Sequence, residues 1–246
     1  MNTTRNTLGR FSNQFIRNMA CHFIAKKYNV YFTYSIYSLM KKFGIHLFTD
    51  GAKFPIKDKE VLIINDSNLC NLIKEPNHNI SYCNIKPHEL SYFQTREFAF
   101  YLRYHFNNIR ERTIIPCNKF TTRYNNNNDA FVHVRLGDVS DKHNPPFEYY
   151  DKVLSQISFI NGYIASDSIN HDICRKLIHK YKLNIINQNE VNTIMFGNTC
   201  KYIILSGGTF SWLIGLFGFY STIYYPKKYL DWHGDIFVFP DWNGID

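Results

Sequence analysis

No two of the six cysteines stand close enough to form a Cys-x-x-Cys pair: they lie at Cys21, Cys70, Cys83, Cys117, Cys174 and Cys200. This spacing offers neither a structural zinc site nor a redox dithiol. Thiols scattered through a chain of this size belong in a core as free side chains, and a reducing compartment, the cytoplasm, is expected. Other signatures are missing too. No Asp-x-Asp pair is present to hold a divalent metal, and no Gly-Lys-Ser/Thr closes a phosphate-binding loop. Gly-x-Ser-x-Gly and His-Glu-x-x-His are also absent, which removes the commonest serine-hydrolase and zinc-protease patterns. No apolar run reaches the roughly 18 residues of a membrane span. The most apolar stretch, residues 210–220, is too short. Residues 1–8 are polar, so no signal peptide is expected.

What is abundant is aromatic: 21 Phe and 18 Tyr in 246 residues, enough to bury a substantial core. Lys and Arg number 28 against 20 Asp and Glu, a formal charge of +8 that favours anionic partners. The basic residues are dispersed, with only pairs at Lys26-Lys27, Lys41-Lys42 and Lys227-Lys228. Without a basic stripe or a stacking platform, nucleic acid is not an expected partner.

From residue 130 onward, apolar runs of strand length alternate with helical spacing. Strands are expected over 130–135, 162–165, 183–186, 202–205 and, last, 222–225. Helices are expected over 147–157, 173–181, 190–200 and 209–220. Alternation of this kind implies a parallel, doubly wound sheet. The first half is also mixed. Apolar residues at 15, 16, 19, 20, 23 and 24 form one helical stripe, with strands expected over 30–33 and 61–64 and a long helix over 92–112. Pro116 and the polar run at 125–128 have linker chemistry. The expected architecture is therefore α/β, with two Rossmann-like domains, 1–118 and 119–246, facing a cleft.

Three segments carry chemistry. FVHVRLGDV (131–139) is an apolar strand ending in His133, Arg135, Gly137 and Asp138. His133 and Arg135 are two apart and share a strand face. An arginine at a strand's carboxyl end suits a diphosphate through forked hydrogen bonds. SGGTFSWLIGLFG (206–218) runs from a strand through Gly207 and Gly208 into a helix opening at Thr209, Phe210 and Ser211. Its amides and hydroxyls can meet phosphate oxygens. GRFSNQF (9–15) sets Gly9 and Arg10 before a helix whose first turn holds Ser12, Asn13 and Gln14. Each segment also has a plain structural reading: a surface arginine beside a turn, a capped helix, and Ser12 as N-cap.

In this order the segments resemble the inverting fucosyltransferases, in particular the α-1,2-fucosyltransferases of glycosyltransferase family 11. That family shows G-G-L-G-N-Q before its first helix, H-x-R-R-G-D at a strand end and S-[ST]-F-S-W-W near the C-terminus. The matching residues are Gly9, Asn13 and Gln14, then His133, Arg135, Gly137 and Asp138, then Thr209, Phe210, Ser211 and Trp212. GRFSNQ is also similar to the G-R-F-G-N-Q of protein O-fucosyltransferases. YFQTREF (92–98) and YIASDS (163–168, with Asp167) resemble two further family segments, so the similarity is colinear over nearly the whole chain. The chain departs from the pattern where Leu136 stands for the second arginine, Arg10-Phe11-Ser12 for Gly-Leu-Gly, and Ser168 for a second aspartate.

The resemblance implies a GT-B type, metal-independent enzyme that moves fucose from GDP-fucose to a glycan hydroxyl and needs no cofactor. Its partners would be a nucleotide-sugar donor and a glycan acceptor, with no transmembrane segment. The donor-binding residues so implied are Arg10, Asn13, Gln14, His133, Asp167, Gly208, Thr209, Phe210 and Ser211. Arg135 would stabilise the leaving diphosphate. Asp138, Asp141 and His143 are the candidates for the base. Two alternatives stay open: another nucleotide sugar on the same fold, and a non-catalytic sugar- or nucleic-acid-binding protein on a transferase-like fold.

Overall fold

The computed structural model describes residues 9–53, 61–75, 84–137, 143–228 and 234–246. The chain separates into two compact units, one up to Tyr104 and one from His105 onward. The 125–128 run lies inside the second unit, where it does specific work. Asn127 Nδ2 donates to Arg123 O and Thr199 O, and Asn128 Nδ2 donates to Ser158 O, so these side chains hold the entry to the first strand of that unit.

The first unit opens with helix α1 (Phe11–Tyr28). Its apolar stripe places Phe15, Ile16, Met19, Ala20 and Ile24 in the core. It ends at Asn29, which takes the left-handed conformation (φ 51°) and returns its N–H to Ala25 O, while Lys26 and Lys27 lie in the final turn beside the negative helix end. Ser12 is not the N-cap: Arg10 holds that position, and Ser12 sits inside the first turn. In place of a regular strand over 30–33, Val30 forms a parallel bridge with Ala52. Tyr31 N–H donates to Ala52 O and Ala52 N–H to Asn29 O. A side chain at Gly51 would lie 2.2 Å from the Val30 carbonyl carbon, so this close approach requires glycine.

Helix α2 (Tyr37–Lys42), strand β1 (Val61–Ile64), helix α3 (Leu69–Lys74) and strand β2 (Asn84–Pro87) follow. β1 and β2 pair in parallel, with Val61 opposite Asn84. The buried Arg17 guanidinium donates to Pro87 O, His88 O and Ser91 O and so closes the backbone just after β2. Helix α4 (Arg96–Ile109) starts four residues later than expected. The cause is Phe93, whose backbone is left-handed (φ 58°) and breaks the helix before Thr95. Thr95 Oγ1 then accepts the Phe98 N–H as a cap.

In the second unit α4 runs through a wider turn (Arg110–Ile114) into helix α5 (Ile115–Cys117). Strands and helices then alternate: β3 (Ala130–Val134), α6 (Phe147–Leu154), β4 (Gly162–Ser166), α7 (Asp172–Tyr181), β5 (Asn184–Ile185), α8 (Glu190–Gly197), β6 (Tyr202–Ile204), α9 (Thr209–Leu216), β7 (Thr222–Pro226) and β8 (Asn243–Ile245). All pair in parallel in the order β5-β4-β3-β6-β7-β8. The expected α/β unit with a parallel sheet is present. The chain winds one way from β3 to β5, returns beside β3 as β6, and winds the other way. β3 and β6 therefore flank the point where the winding reverses.

Every residue of β3 is buried, as a central parallel strand requires. Val132 lies opposite Ile164 and Ile204 and packs with Tyr150, Val153 and Leu177. Each such side chain contributes about 1.5–3 kcal/mol by leaving water. Two expectations are corrected. Helix α9 stops at Leu216 rather than 220, where Phe217 caps it and Gly218 turns the chain. And β7 is not the last strand, because β8 adds to its edge. Trp212 is fully buried and donates through Nε1 to Ile236 O, anchoring α9 to the C-terminal segment.

Cys21, Cys70, Cys174 and Cys200 are buried free thiols, Cys117 is free and exposed, and Cys83 lies outside the described residues. Among the described residues, no helix is long and apolar enough to cross a membrane.

Candidate functional site

Parallel strands all end on one side, and in a doubly wound sheet the backbone parts at the winding reversal. In this unit the strands β4, β3 and β6 are neighbours there. The residues that follow them are Asp167 and Ser168, Arg135 to Gly137, and Ser206 to Gly208. Three of the sequence segments that carry polar chemistry are thus brought side by side.

Arg135 leans toward β4. Its Nε lies 3.3 Å from Asp167 Oδ2, with both side chains mostly shielded from solvent. Asp167 Oδ1 accepts the N–H groups of Leu136 (2.9 Å) and Gly137 (3.1 Å). Burial alone would raise the Asp167 pKa. The two amides, with the charge of Arg135, outweigh it and hold the carboxyl below its ordinary value. Asp167 thus holds the backbone turn after β3 and pairs with its guanidinium. A Cβ at Gly137 would come 2.8 Å from Asp167 Oδ2, so glycine keeps this turn closed on the carboxylate. Leu136, which stands where the resembled family has a second arginine, is a core side chain.

His133 turns the other way, toward the segment after β6. Its Nδ1 lies 2.5 Å from Ser211 Oγ and 3.4 Å from Ser206 Oγ, and the two serine oxygens are 2.9 Å apart. The Phe210 ring covers the imidazole at 5.0 Å between centroids. Burial pushes the His133 pKa down to about 4, against the opposing pull of Asp167 and with the help of Arg135. The ring is neutral at physiological pH. Although two residues apart on one strand, His133 and Arg135 serve different neighbours.

Gly208 is the N-cap of α9 with φ 113° and ψ 150°, a conformation open to glycine. Its carbonyl accepts the Trp212 N–H at 3.0 Å. The first turn of α9, Thr209 to Ser211, holds no acidic residue and receives no side-chain cap bond. Its leading amides point along the helix axis toward the carboxyl side of the sheet, and the helix dipole makes that end partly positive.

In the first unit, Arg10 caps α1 and is exposed. Asn13 Oδ1 accepts from Gln94 Nε2 at 2.9 Å, and Gln14 Oε1 accepts from Ser35 Oγ at 3.0 Å. The backbone that carries Gln94 is pinned next door, where Asp66 Oδ1 accepts the N–H of the left-handed Phe93 at 2.6 Å. Of the base candidates, Asp138 and Asp141 lie outside the described residues. His143 is described and half-buried.

No family model, no curated protein and no solved structure matches this chain. Among the described residues no group of three or more His, Cys, Asp or Glu is placed to hold a metal ion. Two residues of the second-unit cluster were not singled out by sequence: Ser206, hidden in the approach to the glycines, and Tyr150, which sits in α6 far from any motif. Gln94 was visible only as part of the YFQ segment.

Proposed function

We propose that the chain is an inverting glycosyltransferase that moves fucose from GDP-fucose to a glycan hydroxyl without a metal ion. The observation that supports this most is the gathering of the three segments after β4, β3 and β6 at the winding reversal, where open parallel sheets take nucleotides. One guanidinium, Arg135, and one glycine-led helix start, Gly208 to Ser211, stand at neighbouring strand ends there. Both suit a diphosphate. In the proposed reaction the bond from the sugar's anomeric carbon to the β-phosphate oxygen breaks, and negative charge grows on that phosphate. Arg135 and the α9 amides stabilise it. The acceptor hydroxyl attacks the opposite face and gives its proton to Asp138, Asp141 or His143. The nucleotide falls to the second unit and the acceptor to the first, the division of labour of GT-B type transferases.

The test is incubation with GDP-fucose over a glycan array, beside a panel of other nucleotide sugars, because Leu136 and Ser168 replace two polar residues of the resembled pattern. Transfer from GDP-fucose alone supports the proposal. Transfer only from another donor keeps the chemistry and changes the sugar. No transfer from any donor, with no binding of GDP, overturns it.

A further inference from the structure

Beneath the candidate site lies a row of buried hydroxyls. Tyr150, Ser206 and Ser211 are each fully shielded from solvent. Tyr150 Oη has no partner within hydrogen-bond geometry, and Ser206 is the hydroxyl that faces it. From Ser206 the row continues to Ser211 at 2.9 Å and from there to His133 Nδ1 at 2.5 Å. We infer that the part of this row joined by hydrogen bonds is polarised in one direction, Ser206 to Ser211 to Nδ1, and holds His133 as the Nε2–H tautomer, a neutral hydrogen-bond donor for a bound anion.

The direction follows from proton accounting. Each hydroxyl has one proton to donate. Ser206 has three acceptors within reach, Ser211 Oγ at 2.9 Å, the carbonyl of its own neighbour Gly207 at 3.2 Å and His133 Nδ1 at 3.4 Å. The shortest contact takes its proton. Ser211 in turn has only Nδ1 to donate to, and Nδ1 must be unprotonated to accept. The ring proton therefore resides on Nε2, across the ring from the serines. Ser206 and Ser211 are positioning residues. Their hydroxyls set what His133 offers.

A neutral donor differs in use from a cation. It adds a hydrogen bond to an anion beside the charge of Arg135, and it does so at any pH where the ring stays uncharged. The charged or titratable groups facing His133 among the described residues are Arg135, just beyond its own strand, and Asp167, after β4. From β6 and α9, among the described residues, it meets serines and the Phe210 ring.

The tautomer is read directly by long-range proton–nitrogen spectroscopy on protein labelled with nitrogen-15 in histidine. The His133 signals are assigned by their loss in His133→Asn. The Nε2–H pattern is expected in the free protein, unchanged from pH 8 to 5.5. A Nδ1–H pattern, or titration near the ordinary value of about 6.5, overturns the inference. Ser211→Ala removes the donor to Nδ1 and is expected to mix the tautomers. The ligand claim rests on the proposed donor and is tested separately with GDP. Binding is expected to move the Nε2–H resonance, and Ser211→Ala is expected to raise the Kd about fivefold to tenfold. GDP binding that leaves Nε2–H unmoved overturns the donor role. A correct tautomer with no GDP binding at millimolar concentration leaves the hydroxyl row standing and sinks the proposed donor instead.

Discussion

Arg135 and Asp167 meet at 3.3 Å across the ends of two neighbouring parallel strands, and the same carboxylate holds the backbone N–H groups of Leu136 and Gly137. One aspartate after β4 therefore sets both the turn after β3 and the direction of the guanidinium that leaves it. Loss of either member should be felt by the other. Arg135 would lose its aim, and Asp167 would lose the charge that offsets its burial.

Arg135→Ala is expected to abolish the protection that GDP gives against thermal unfolding. Millimolar GDP should raise the Tm of the unaltered protein by mass action and leave that of the variant in place. An unshifted Tm in the unaltered protein removes the basis for GDP as the donor nucleotide.

Asp167→Ala is expected to destabilise the second unit by about 1.5–3 kcal/mol, the range for hydrogen bonds to a charged group. The sign with pH is fixed by the lowered pKa. A carboxyl held below its unfolded value contributes stability above about pH 4 and loses it as pH falls through the folded value. Urea melts at pH 7 and pH 3 check this: the gap between unaltered protein and variant should narrow at pH 3.

His133 acts in a different window. Its folded pKa is pushed down to about 4, so between that value and about 6.5 the unfolded chain binds a proton that the folded one does not. Stability must fall as pH drops through this range. The expected loss between pH 7 and pH 5 is about 2 kcal/mol from this residue. Urea melts of His133→Gln should lack that component. Equal pH slopes in both proteins would show that the ring titrates normally.

Transfer activity is expected to survive excess EDTA. The basis is the missing Asp-x-Asp pair in the sequence together with Arg135 and the α9 amides as the proposed carriers of the leaving charge. Loss of activity on chelation, restored by magnesium or manganese, would assign that charge to a metal.

Much of this was legible because buried parallel strands write themselves as apolar runs. Residues 130–134 and 202–204 are such runs, and the polar residues just past them had to fall at strand ends. The failures have equally physical causes. Phe93 is left-handed because Asp66 and burial hold it so, and nothing in a phenylalanine announces that conformation. β8 is Asn243-Gly244-Ile245, a strand only because β7 offers it an edge. Ser12 looked like a cap because the helix begins one residue ahead of it. At the site, the residue types of His133, Arg135 and Ser211 were readable, but their partners were not. The Tyr150 to Ser206 approach joins positions that only the fold brings together.

Gly208 separates the phosphate-cradle idea from a purely structural turn. With φ 113° and ψ 150° it occupies backbone space that other residues enter at a cost of about 1–3 kcal/mol. Gly208→Ala should therefore destabilise the protein by that amount whatever the turn binds. If the turn also cradles a diphosphate, the relaxed backbone and the added methyl displace the α9 amides from the phosphate oxygens. GDP affinity in the folded fraction should then fall by about 1–3 kcal/mol, the equivalent of one or two hydrogen bonds to a charged group. Leu183→Ala supplies the control. Leu183 is a buried side chain beside the edge strand β5, and its truncation should cost about 2–5 kcal/mol while leaving GDP affinity intact. Calorimetry and urea melts on both variants give the four numbers needed. A Gly208→Ala protein that is less stable yet binds GDP as well as the Leu183→Ala control makes the turn a structural device, and the diphosphate must then be held elsewhere.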